Sequence, residues 1–427
     1  MTDLRAKLAL AGASLLLCSF AADQGLRAFG VPTDLPRYAN PPGFREFRKK
    51  LEFQYYFATN SQGLRYREIP LAKPAGTHRV IVLGDSYTEG FGVSDTDTWV
   101  SRLERRFASR SPEVSFVNGG LTATGPLDYG RLLLHVGMRY QPDAVLIAIY
   151  GNDVSDTPIS ATPSDLCTVS RKGAQSLAYA LWPRVYTLLR KIKQGYDDRH
   201  RARPRDFVAE VSTRAAQVGI PRSRIEAWQR RLPPPLVLAT NTGQFSGSTL
   251  STGLLRPGYW TDALDIDTDS ANAEWRAMSS ILSAFAGEAR RKGLAVGVVF
   301  LPTPFQYDNP MSRDDIWAYV GATIRQAWLS EDSEVQKRLH TWAEGERVPF
   351  FDLTPVFRHA AQADPDLTYK LDGHWTRSGH AVASKAIGDW LMHENVFPFI
   401  HQGDALRPRD GGPRRSPRGA ALHECPL

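Results

Sequence analysis

The sequence predicts a three-layer α/β/α fold, with a central parallel sheet of about five strands and a large, mostly helical insertion after the third. Three observations lead there. Residues 80–83 (VIVL), 114–117 (VSFV) and 143–150 (DAVLIAIY) are short, near-continuous apolar runs, the pattern of strands buried on both faces rather than one. Each run ends in a Gly-, Asn- or Asp-containing turn, and helical periodicity follows, so the units read as strand, crossover, parallel strand. The same alternation resumes after residue 272, which leaves the stretch between as an insertion.

In chain order, Arg5 and Lys7 precede an apolar run over residues 8–22, the layout of a secretory leader. The run is short for a bilayer span of about 20 residues. It fits either a signal peptide cleaved after Ala21 or a retained anchor; the basic residues before it predict that everything after it is exported. Residues 31–78 read as an accessory hairpin or meander, with a turn at residues 60–63 between FQYYFAT and LRYREIP. The main domain then spans residues 79–402, with helices expected over 98–109 and 127–140.

Within the insertion, residues 159–272, Leu181, Val185, Leu188, Leu189 and Ile192 form an apolar stripe among Arg184, Arg190, Lys191 and Lys193. That pattern suits a lid helix or a helix lying on a membrane surface. LPPPL (232–236) predicts a rigid extended passage, and the Gly/Ser/Thr-rich residues 240–253 a surface loop. Helices are expected over 273–292 and 313–340, strands over 295–301 and 348–354, and a closing helix to Leu391. Residues 403–427, rich in Gly, Pro and Arg, predict a disordered tail.

Composition excludes little by itself. Of 427 residues, 42% are hydrophobic, enough for a large core. A net charge of +7 favours anionic surroundings. No RNP, helix-turn-helix or zinc-type Cys/His spacing accompanies the charge, which argues against nucleic acid and against a metal or other cofactor. The three cysteines, Cys18, Cys167 and Cys425, lie far apart, and no disulfide is expected.

The polar groups just past the apolar strands carry the chemistry. Ser86 follows the first in GDSYT, Asn118 to Gly120 the second, Asn152 and Asp153 the third, and Asp372 and His374 lie in TYKLDGHWTRSGH after the fifth. In a parallel sheet these loops share one edge, where open α/β sheets bind ligands. Acyl transfer by a serine needs a base, a group that holds the base, and donors for a developing oxyanion. Other polar residues read as structural: Asn118 and Asp153 as loop ties, Asp352 at a strand end, His380 at a helix start, and Asp85 on the far side of the Ser86 turn.

In this order the four motifs resemble the SGNH (GDSL-type) hydrolase family, over residues 79–154 and 294–392, in a form similar to a secreted bacterial subgroup. The resemblance implies an SGNH/flavodoxin-like sheet with Ser86 as nucleophile, His374 as general base and Asp372 as its partner. It implies an oxyanion hole of the Ser86 and Gly120 backbone N–H groups and the Asn152 amide, with no cofactor and no metal. One feature departs from the family pattern: Asp372 precedes His374 by two residues rather than three, with Gly373 between to allow the tight turn. The Asp-x-His-Trp form also resembles the alginate O-acetyltransferase branch. The expected activity is therefore a serine esterase acting on acyl, chiefly O-acetyl, esters of a cell-envelope glycan or a small ester. The alternatives are an O-acyltransferase using the same triad on an exported polysaccharide, and an inactive SGNH-fold envelope-binding protein. The expected location is exported, periplasmic or extracytoplasmic, with membrane association through the N-terminal segment.

Overall fold

The computed structural model describes residues 2–28, 38–108, 113–167, 181–200, 206–308, 316–321 and 324–401. The chain divides into two compact units, residues 1–37 with 168–205, and residues 38–167 with 206–427.

In the first unit, α1 (Thr2–Ala28) is joined by a second helix contributed by residues 183–200. Asp23 is buried, and its carboxylate accepts from the backbone N–H groups of Arg184 and Val185. It thereby satisfies the otherwise orphaned first turn of that helix. Leu10, Leu16, Leu17 and Phe20 on the first helix, and Leu188, Leu189 and Ile192 on the second, are exposed. No helix among the described residues is long and apolar enough to cross a membrane.

The second unit opens with an antiparallel hairpin, β1 (Arg45–Lys49) and β2 (Gln54–Ala58). The expected hairpin is thus displaced: FQYYFAT pairs backwards with REFRK, and residues 64–70 form no strand. The turn at residues 50–53 lacks Gly, Pro or Asn, so turn chemistry did not mark it. Next come β3 (His78–Gly84), α2 (Ser86–Glu89), α3 (Trp99–Phe107), β4 (Val114–Gly120), α4 (Pro126–His135), β5 (Ala144–Tyr150) and α5 (Asp153–Asp156). Continuing the count, α6 is the helix Pro183–His200 of the first unit.

The rest of the insertion is more helical than its composition suggested: α7 (Phe207–Gln217), α8 (Arg222–Arg231), α9 (Pro234–Asn241), α10 (Gly247–Leu255) and α11 (Asp262–Asp265). LPPPL is not an extended passage. Pro234 occupies the first turn of α9, where a missing N–H costs nothing. The expected loop over 240–253 likewise contains the start of α10, capped by Ser246, because burial of Leu250 and Leu254 outweighs weak local propensity. Then follow α12 (Asp269–Arg291), β6 (Ala295–Leu301), α13 (Ile316–Val320), α14 (Glu334–Glu346), β7 (Phe350–Asp352), α15 (Thr354–Ala363) and α16 (Arg377–His393). The single helix expected over 313–340 is instead the short α13, a 3₁₀ turn at Gln326–Leu329 and the start of α14. The expected tail lies outside the described residues.

Strands β4-β3-β5-β6-β7 pair in that order, all parallel. Alternate residues face opposite layers: Ile81, Val145 and Ile147 enter one core, Val80, Val82 and Leu146 the other. Burial on both sides is the physical reason these strands read as unbroken apolar runs. Cys167 is in a disulfide, against the expectation of none; its partner lies outside the described residues, and Cys18 is free. Sequence separation carries no information about which thiols the fold brings together.

Candidate active site

Strand β3 ends at Gly84, and α2 begins two residues later, so the chain turns sharply and presents Ser86 at the carboxyl edge of the sheet. Asp85 makes the turn: its side chain caps α2 by accepting from the Tyr87 N–H at 2.9 Å. The helix then packs hard against β4. A Cβ on Gly120 would lie 2.0 Å from the Glu89 nitrogen, so only glycine lets the two backbones meet there.

Residues 286 and 288 positions further on complete the cluster. His374 Nε2 lies 2.7 Å from Ser86 Oγ, and His374 Nδ1 lies 2.5 Å from Asp372 Oδ1. The spacing of two works because Gly373 sits at φ +87°, a left-handed conformation that a side chain resists. Its carbonyl accepts from Tyr87 Oη at 2.7 Å, and its N–H donates to the Tyr369 carbonyl at 2.9 Å. The Tyr369 N–H donates to the His374 carbonyl at 2.9 Å, closing a compact loop. The rings of Tyr87 and Phe91 lie 4.9 and 4.8 Å from the imidazole and fix its plane.

Burial disfavours a charged imidazole at His374. The charge and hydrogen bond of Asp372, with Asp85 and Glu89 beyond, outweigh it and hold the pKa above its ordinary value. Asp85, fully enclosed, is pushed up to about 7 by burial, partly offset by the Tyr87 N–H and by His374.

Asn152 follows β5, and its amide nitrogen donates to Asp156 Oδ2 at 2.9 Å and to Tyr259 Oη at 3.0 Å. Tyr259 in turn donates to Asp156 Oδ1 at 2.5 Å. The insertion, which carried no readable motif, thus reaches this edge through Tyr259; nothing in the sequence around that tyrosine distinguishes it from a packing aromatic. Asp156 is pushed up to about 6, chiefly by burial.

Gly120 departs from its expected role. Its N–H donates to Asn118 Oδ1 at 2.9 Å, so that donor is already engaged, and the glycine serves the close approach of α2. In the loop just beyond, Ala123 holds φ +61°, strain uncommon for a residue with a Cβ. Its N–H makes no hydrogen bond among the described residues. Only the backbone dihedral reveals it, since alanine carries no turn signal.

The residues read as structural behave so. Asp153 accepts from the Tyr150 N–H and Tyr129 Oη, and Asp352 from the Thr354 N–H and Gln336. His380 is buried, accepts from the Trp99 N–H at 3.3 Å, and is driven down to about 3 by desolvation. Among the described residues, no group of His, Cys, Asp and Glu is arranged to hold a metal ion.

Residues 82–221 match the GDSL-like Lipase/Acylhydrolase family. No curated protein matches the chain. Among solved structures, an acetylxylan esterase from Geobacillus stearothermophilus is similar at 12% identity, over 74% of this chain and 94% of that one, with a TM-score of 0.35. A lipase/acylhydrolase from Enterococcus faecalis is similar at 12% identity, over 74% and 95%, with a TM-score of 0.34. The esterase EstA from Pseudoalteromonas sp. is similar at 10% identity, over 74% and 96%, with a TM-score of 0.33. Residues 82–221, with Ser86 in their GDS turn, are thus similar to the GDSL-like Lipase/Acylhydrolase family.

Proposed function

We propose that this protein is a serine-dependent carboxylic ester hydrolase that removes short acyl groups, O-acetyl above all, from a cell-envelope glycan or a small ester. The observation that carries the reading is the continuous hydrogen-bonded line from Ser86 Oγ through His374 to Asp372. His374 Nε2 takes the proton as Ser86 Oγ attacks the ester carbonyl; Asp372 keeps the proton on Nδ1 and stabilises the imidazolium. The oxyanion is received by the Ser86 N–H, by the Ala123 N–H in place of Gly120, and by the Asn152 amide as one of its N–H groups turns from Asp156 or Tyr259 to the substrate. The imidazolium then protonates the departing alcohol, and water resolves the acyl-enzyme by the same base.

Mass spectrometry after incubation with an O-acetylated glycan tests this: an acetyl adduct on Ser86, absent in S86A, together with free acetate supports hydrolysis. Acetate that appears only as a new ester on an added glycan acceptor supports the second reading, an O-acyltransferase, which the Asp372-Gly-His374-Trp375 form favours. Failure of a fluorophosphonate to label Ser86 would leave a catalytically idle envelope-binding protein. We place the protein outside the cytoplasm, associated with the membrane through its first unit. Arg5 and Lys7 near the start of α1, the exposed apolar side chains of α1 and α6 and a disulfide at Cys167 all suit that location.

A further inference from the structure

We infer that Glu52, at the turn of the β1–β2 hairpin and about 320 residues before the acid–base pair, is a positioning residue for that pair: its carboxylate fills an anion-binding nest formed by the backbone N–H groups of Leu371 and Asp372. The inference rests on the serine-esterase reading. The Leu371 N–H lies 3.0 Å from each carboxylate oxygen of Glu52, and the Asp372 N–H lies 2.8 Å from Oε2. Successive N–H groups converging on one point form a concavity that favours a negative charge. In the 369–374 loop the Gly373 and Tyr369 N–H groups bond internally, to the Tyr369 and His374 carbonyls, while the Lys370 carbonyl accepts from the Ile316 N–H at 3.0 Å and the Gly373 carbonyl from Tyr87 Oη at 2.7 Å. Those two ties hold carbonyls; the N–H groups at the Asp372 end of the loop are held from outside it by Glu52.

The hairpin is itself held in register with the site. Phe53, beside Glu52, packs on Tyr369 at 4.8 Å and on Phe91 at 5.6 Å, and Phe91 lies 4.8 Å from the His374 ring. Tyr369 Oη donates to the Gly92 carbonyl at 3.0 Å. One wall thus supports both ends of the relay, the carboxylate through the backbone and the imidazole through ring contact. Burial and the nearby Asp372 charge raise the Glu52 pKa, while the N–H groups lower it. This placement sets a second anion close to Asp372, and the field of that anion favours a protonated His374.

Two variants separate position from charge. E52A empties the nest; E52Q keeps the size and one acceptor oxygen but removes the charge. The other groups facing the pair stay in place: Asp85 and Glu89 toward His374, His380 within its field, Tyr369 beside Glu52 and Asp372, and Tyr55 and Arg377 near Tyr369. For E52A we expect kcat on p-nitrophenyl acetate to fall by on the order of 10²-fold, the cost of about 1 Å of misplacement, with KM little changed. Added formate should restore part of that loss in E52A and none in E52Q. For E52Q the acidic limb of kcat/KM should move to lower pH. A folded E52A that keeps parental kcat, or a folded E52Q with an unmoved limb, overturns the inference. Should E52A fail to fold, the E52Q limb alone decides. The rate of fluorophosphonate labelling separates the two levels of failure: a parent that does not label sinks the esterase reading and the clamp with it. A parent that labels no faster than E52A sinks the clamp alone.

Discussion

Replacing Asp372 by asparagine tests the relay most directly. The Asp372 and His374 side chains are only 12% and 22% exposed, so solvent screens their interaction weakly. During attack on the ester, His374 gains a full positive charge beside the Asp372 anion. Two unit charges about 4 Å apart at an effective dielectric of about 20 attract by about 4 kcal/mol. At about 1.4 kcal/mol per decade, losing that attraction slows the chemical step by on the order of 10³-fold. An amide that turns its NH₂ toward Nδ1 would also force the proton onto Nε2, where it blocks Ser86; this tautomer error brings the loss toward about 10⁴-fold, as in other serine triads. The sign on pH follows from the same charge. Asp372 is the leading contribution that holds His374 above its ordinary pKa, and the base must be neutral to work, so D372N should move the acidic limb of kcat/KM to lower pH while lowering its plateau. Steady-state hydrolysis of p-nitrophenyl acetate and the rate of fluorophosphonate labelling of Ser86 measure both effects. A folded D372N within about tenfold of the parent, well short of the expected decades, would refute the role assigned to Asp372.

N152A should lower kcat by on the order of 10²-fold or more, as loss of one oxyanion donor does, with KM nearly unchanged; full turnover would remove Asn152 from the oxyanion hole. H380Q should keep turnover and the pH profile of the parent, because His380 is neutral and buried, while thermal unfolding shows a loss of about 1–3 kcal/mol from the disturbed Trp99 bond; a shifted activity profile would contradict this. D85N isolates a buried carboxyl. Between an unfolded pKa of about 3.9 and the folded value of about 7, the folded state retains a proton that the unfolded chain has lost, so the Asp85 contribution to stability falls as pH rises through that window. The D85N melting temperature should therefore gain on the parent across the window and level off above it, and a difference that stays constant with pH would disprove the raised pKa.

The sheet, and the places where most of the candidate site's polar groups gather, were legible along the chain. Strands β3, β4, β5 and β6 were legible because burial on both faces leaves no polar residue in 80–83 or 144–149, a one-dimensional signature of a three-dimensional layer. Ser86, Asn152 and His374 were legible because each stands at the end of such a strand or in a motif of fixed spacing. The folded structure shows Gly120 packed against α2 and Ala123 in a left-handed conformation, neither of which is readable along the chain, since the orientation of a backbone donor depends on dihedrals that composition does not encode. It likewise placed Tyr259 against Asn152 and Glu52 against the Asp372 loop: contacts across more than a hundred residues arise from how faces of different elements meet, and a carboxylate drawn to two distant N–H groups looks, along the chain, like any other surface glutamate.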